Sequence, residues 1–100
     1  AVQARVGNAN YAASKGGLNM LTQCMALELG PHVTVNGVAL GCVDSPLVRE
    51  LFTEEELRQA KNSVPLQRMT TYKEASDFVR MLVSDAASFV TGQTIPFDGG

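Results

Sequence analysis

The chain has 100 residues, enough for one small domain or for part of a larger one. Apolar residues make up 45% and charged residues 18%, a globular balance that excludes a disordered chain. The formal charge of −2 gives no pull toward nucleic acid or anionic lipid, and no apolar run nears the roughly 20 residues a membrane span needs.

The opening stretch, AVQARVGNAN, lacks the charge-then-apolar layout of a secretion leader. The expected compartment is the cytoplasm, with the mitochondrion as the alternative should the chain start further upstream. Residues 11 to 29 are predicted as a helix. Leu18, Leu21, Met25 and Leu29 recur at three- and four-residue steps and predict one buried stripe. Gly30-Pro31 then stops it, because glycine suits the C-cap and proline cannot continue a helix. HVTVNGVAL follows, where Val33, Val35 and Val38 predict a buried strand of about five or six residues. Its apolar character is nearly continuous toward Leu40, as in a strand inside a parallel sheet.

GCVDSP reads as a loop. Thr53 and Glu56 form a capping box at the start of the next helix, where three carboxylates suit an N-terminus. Thr71 and Glu74 form a second box, with Ala75, Phe78, Val79, Leu82 and Val83 as the apolar face behind it. FVTGQTIPFDGG supplies a turn, a short strand from Thr94 to Phe97, and a Gly-Gly turn. The expected order is helix, strand, two short helices, helix, strand, and the helical crossover predicts parallel pairing of the strands. Two short parallel strands leave sheet edges and helix faces unsatisfied, so the chain reads as a piece.

Cys24 and Cys42 fit no metal or redox spacing, and with a single histidine they make a poor zinc set. They are expected as reduced, structural thiols, with no metal site. His32 reads as a surface residue, Asp44 as a loop carboxylate, Arg68 as structural, and TEEELRQAK as a solvated helix face.

The chemistry concentrates in NYAASKGG, where Tyr11 and Lys15 stand one helical turn apart. A free tyrosine titrates near ~10 and exchanges protons reluctantly at neutral pH, whereas a neighbouring ammonium stabilises the phenolate. Such a pair can give a proton to a developing alkoxide or take one from an alcohol. Ala12, Ala13, Gly16 and Gly17 leave room for a flat ligand. Alone, a tyrosine and a lysine four apart are equally ordinary on a solvated helix face.

Four segments in order, YAASK with its long helix, VTVNGVALGCVDSPL, PLQRM and LVSDAASFVTGQTIPFDGG, resemble the C-terminal part of a short-chain dehydrogenase/reductase. Within that family the chain is most similar to the group of 3-oxoacyl-(acyl carrier protein) reductases and small carbonyl reductases. The resemblance implies an α/β fold, the C-terminal part of a Rossmann-like doubly wound parallel sheet, with two strands and their helices in residues 1–100 and the N-terminal cofactor-binding half missing. It implies Tyr11 as catalytic acid/base and Lys15 as its electrostatic partner, both also touching the cofactor. Gly41, Val43 and Ser45 match a cofactor-holding motif, and Asn36 matches a structural asparagine. Leu40 stands where the family usually has proline. Ser14, three residues past the tyrosine, is expected to cap or pack locally and not to replace the family's substrate serine.

The implied activity is hydride transfer between a carbonyl and a secondary alcohol, with NADP or NAD as cofactor and NADPH favoured. The implied partners are a small-molecule substrate and further copies of the full-length chain in a dimer or tetramer, with Leu18, Leu21 and Met25 facing a partner. Leu47, Val48, Leu51 and Phe52 could cover a substrate. The alternative reading is a non-catalytic fragment or oligomerisation module, and the isolated 100-residue chain is expected to be inactive and to aggregate through its strand edges.

Overall fold

The computed structural model describes residues 5–100, and the reading of the opening stretch falls partly on residues 1–4, outside the described residues. Helix α1 runs Ala9–Leu29. Asn8 precedes it without a side-chain hydrogen bond to the first turn, which carries no acidic residue. Pro31 ends it, while Gly30, at φ −64°, is not left-handed, so the stop does not use the glycine in the way the sequence suggested.

Strand β1 is Gly37–Leu40, shorter than predicted. The residues ahead of it bond instead to the turn before the last strand. Val35 N–H donates to Thr91 Oγ1 at 3.0 Å, and Gly92 N–H donates to Val35 O at 2.7 Å. Val33, assigned to the buried strand from its spacing, is 50% exposed. Strand β2, Thr94–Phe97, pairs with β1 in parallel, from Gly37 opposite Thr94 to Leu40 opposite Phe97.

Helix α2, Pro46–Leu51, starts from Ser45, whose Oγ accepts from Val48 N–H at 3.2 Å, with proline in the first turn where no N–H is missed. Helices α3, Glu54–Asn62, and α4, Tyr72–Leu82, both open on the expected reciprocal capping boxes. A single 3₁₀ turn, Asp85–Ala87, follows.

The two long helices flank the sheet. Thr94 Oγ1 meets Asn19 Oδ1 of α1 at 3.3 Å, whereas the Phe97 ring stacks on Phe78 of α4 with centroids 4.7 Å apart. Residues 94 and 97 point to opposite faces of a strand, so α1 and α4 lie on opposite sides. Helix α1 approaches through small side chains: Thr22 and Ala26 are its buried residues, and a Cβ on Gly92 would sit 3.4 Å from Ala26 Cβ. This displaces the predicted stripe. Leu18 and Leu21 are about half exposed, and Met25 and Leu29 more than a third, because the close approach selects small residues and leaves the large ones outside.

The core is correspondingly slight, built on Ala26, Met69, Leu82 and Ala87. The radius of gyration, 15.4 Å, exceeds the ~13 Å of a typical 100-residue domain. Among the described residues, no helix is long and apolar enough to cross a membrane, and no cluster of metal-ligating side chains occurs.

Candidate functional site

Tyr11 and Lys15 lie on the first two turns of α1, one above the other, with Lys15 Nζ 5.5 Å from the centre of the Tyr11 ring. That is the geometry of a cation held over an aromatic face. Neither the hydroxyl nor the ammonium makes a hydrogen bond or ion pair among the described residues, so both remain available to a ligand. Ser14 is engaged within the helix, where its hydroxyl donates to Tyr11 O at 2.7 Å.

The pair borders a cavity of about 430 Å³ between α1 and β1. Its far wall is the strand from Gly37 to Leu40, and its floor carries Asn19, Asn36 and Thr94. At Gly16 and Gly17 an added Cβ would meet open space, but neither glycine lines this cavity. Asn36 is occupied structurally, donating from Nδ2 to Val90 O at 2.9 Å and accepting at Oδ1 from Gln93 N–H at 3.2 Å. Asn19 and Thr94 were not singled out by sequence reasoning. The four-residue step through Tyr11, Lys15 and Asn19 is the signal that finds the first, while Thr94 depends on the strand's register.

Downstream of β1 the backbone is tightly constrained. Gly41 N–H donates to Phe97 O at 3.0 Å, and a Cβ at Gly41 would lie 2.7 Å from Asp98 Cα, so only glycine fits. Val43 forms an isolated parallel bridge with Thr70, in which Thr70 N–H donates to Cys42 O at 3.1 Å and Asp44 N–H to Thr70 O at 2.8 Å. Ser45 is buried as the cap of α2. Arg49 grips the Asp44 carboxylate through Nε and Nη2 at 2.6 and 2.8 Å. Those hydrogen bonds hold the Asp44 carboxyl below its ordinary range and push Arg49 up.

The structure thus gathers Tyr11 and Lys15 with the end of β1 around one cavity. Gly41 lines a second cavity, of about 570 Å³, together with Cys42, Met69, Thr70 and Phe97. Val43 and Ser45 line neither of the two. Leu47, Leu51 and Phe52 are exposed on and just after α2, with Val48 half-buried. Cys24 and Cys42 are unbridged and exposed, not packed. Arg68 pairs with Glu74 at 2.7 Å.

Comparison with known proteins places these features in context. A family model described as Enoyl-(Acyl carrier protein) reductase matches residues 1–100. A 3-oxoacyl-[acyl-carrier-protein] reductase of Pseudomonas aeruginosa is 41% identical over 95 residues, covering 94% of this chain and 38% of that protein. Among solved structures, a short chain dehydrogenase family protein from Francisella tularensis superposes with a TM-score of 0.86 at 33% identity, covering 97% of this chain and 45% of that one. A 4-hydroxyisoleucine dehydrogenase complexed with NADH gives 0.82, also at 33% identity, covering 92% and 39%. The chain therefore spans between 38% and 45% of the length of these relatives.

Proposed function

The chain belongs to the short-chain dehydrogenase/reductase family, and from that premise we propose that it carries the proton-transfer half of an NAD(P)-dependent oxidoreductase acting on a carbonyl or secondary alcohol. One observation supports this above the others: a hydroxyl and an ammonium, both uncommitted among the described residues, share one face of α1 beside an open cavity. The donor set fits a nicotinamide nucleotide, since the cavity of about 430 Å³ beside the pair leaves room for a ring and the two polar groups suit a ribose. Tyr11 and Lys15 would hold it, with the main chain at Gly41, Val43 and Ser45 as the second contact. When bound, the cofactor supplies or accepts the hydride; NADPH is the favoured form.

In the reducing direction Tyr11 gives its hydroxyl proton to the carbonyl oxygen as that oxygen takes up the electron pair of the breaking π bond. Lys15 keeps a positive charge within reach of the phenolate left behind. In the oxidising direction the same phenolate receives the alcohol proton. The exposed residues of α2 and its flank, Leu47, Leu51 and Phe52, suit a cover for a small apolar substrate. Similarity to a 3-oxoacyl reductase makes 3-oxoacyl thioesters the first substrates to try, and the compartment we assign is the cytoplasm.

The 100 residues alone do not provide a glycine-rich pyrophosphate turn. The test therefore joins the chain to an upstream cofactor-binding half and follows NADPH consumption with a panel of carbonyls. Turnover supports the reading; a folded, NADPH-binding chain with no turnover on any carbonyl contradicts it.

A second reading is favoured by the exposed apolar residues Leu18, Leu21 and Met25 of α1. In it, this stretch works as a non-catalytic association module or contacts another copy in a dimer or tetramer. NADPH binding with turnover by the isolated 100 residues would refute the non-catalytic reading.

A further inference from the structure

One carboxylate organises the approach to the loop after β1. Arg68 donates from Nη1 and Nη2 to the two oxygens of Glu74 at 2.9 and 2.7 Å, and Nη1 also reaches Met69 O at 3.2 Å. Glu74 Oε2 further accepts from Thr71 N–H at 2.9 Å and from Thr70 Oγ1 at 3.2 Å. A capping box needs only the exchange between Glu74 and Thr71. The two-pronged arginine and the Thr70 hydroxyl are additional, and they fix the segment from Arg68 to Thr71 to a single point.

Thr70 passes that order on through its main chain. Its N–H and C=O bracket residues 42 to 44 through the bonds to Cys42 O and Asp44 N–H. We infer that Arg68 and Glu74 are positioning residues for the loop Gly41–Ser45, acting through Thr70. This rests on the proposed function only where the loop is said to meet the cofactor; the mechanical part stands on the hydrogen bonds. The arginine holds Glu74 at a pKa of about 2, so the clamp stays charged throughout the neutral range.

Two variants of the chain joined to an upstream cofactor-binding half test the idea. Glu74→Gln keeps an oxygen for Thr71 N–H but loses the charged fork, and Arg68→Met loses the fork while leaving the capping box whole. Both are expected to speed hydrogen exchange at the Asp44 and Thr70 amides by about tenfold. Both are also expected to raise the cofactor KM by about tenfold, with the carbonyl KM little changed. Arg68→Lys, which restores one charged donor, should recover part of each effect. Wild-type exchange at those two amides in the variants would overturn the inference, as would a lowered melting temperature with cofactor KM unmoved. Exchange is read without turnover, so an inactive wild type would sink the oxidoreductase reading while faster exchange still supported the clamp.

Discussion

Helices α1 and α4 sit on opposite faces of the same two strands, yet they are built in different ways. Helix α4 is eleven residues long and carries its own instructions: a reciprocal capping box, ion pairs from Arg68 and Lys73, a stacked Phe78 and a buried Leu82. Helix α1 is 21 residues long, has no side-chain cap, no acid in its first turn and no base in its last, and buries only Thr22 and Ala26. Its large apolar residues stay exposed, and its two chemically interesting groups make no hydrogen bond or ion pair among the described residues. One helix is specified by local interactions, the other by what it meets. The proposed chemistry sits at the N-terminal end of the same face of α1 that meets the sheet, ahead of the close contact at Thr22 and Ala26.

Replacing side chains on the two helices should therefore have opposite consequences. The largest effect is expected from Lys15→Met. In the completed chain, turnover should fall by about 10²-fold or more while the melting temperature holds, because among the described residues the ammonium makes no hydrogen bond or ion pair and touches only the Tyr11 ring. A large loss of stability with turnover intact would erase the contrast.

Gly41→Ala sharpens it from the other side. The added carbon must push against Asp98 main chain at 2.7 Å, and overpacking of this kind costs about 1–3 kcal/mol, read in a denaturant melt. Next comes Thr71→Ala, which removes the acceptor for Glu74 N–H at 3.1 Å and should cost α4 about 1 kcal/mol. The smallest change is a gain: Asn8→Asp supplies the charge that the first turn of α1 lacks, worth about 0.3–1 kcal/mol and screened by salt.

Acid should separate the helices as well. Glu74, near 2 in the fold against 4.5 as its ordinary value, binds its proton more weakly when folded. Its contribution is present in full above the unfolded value and is lost as pH falls through the folded one. The stability gap between wild type and Glu74→Gln should therefore be constant at neutral pH and close between about 4.5 and 2; a gap that persists below it would show that the charge is not the cause.

What the sequence revealed follows the same division. Both capping boxes, the bounds of β2 and the parallel pairing were readable, because each rests on signals a few residues apart or on crossover length. Ser45 and Pro46, read as the end of the GCVDSP loop, instead cap and open α2. The start of β1 was misplaced because Val35 and Asn36 are claimed by Val90 to Gln93, more than fifty residues away. The buried line of α1 was misassigned for a related reason: hydrophobicity cannot report that the sheet comes close enough to demand small residues. Nothing local marks Gln67, which adopts a left-handed φ of 53° beside the clamp. At the site, the spacing of Tyr11 and Lys15 sufficed to bring them together, but spacing did not separate Gly41, Val43 and Ser45 from the cavity those two border. Their positions are explained by Asp98, Thr70 and the cap of α2.

The most direct measurement follows the transferred atoms. The completed chain is given a carbonyl substrate and NADPH carrying deuterium at both C4 positions of the nicotinamide, and the alcohol is examined by mass spectrometry. Tyr11 as proton donor predicts one deuterium on the carbinol carbon with the wild type and almost no product with Tyr11→Phe, although that variant still binds the cofactor. Labelled alcohol formed at the same rate by Tyr11→Phe would contradict the account.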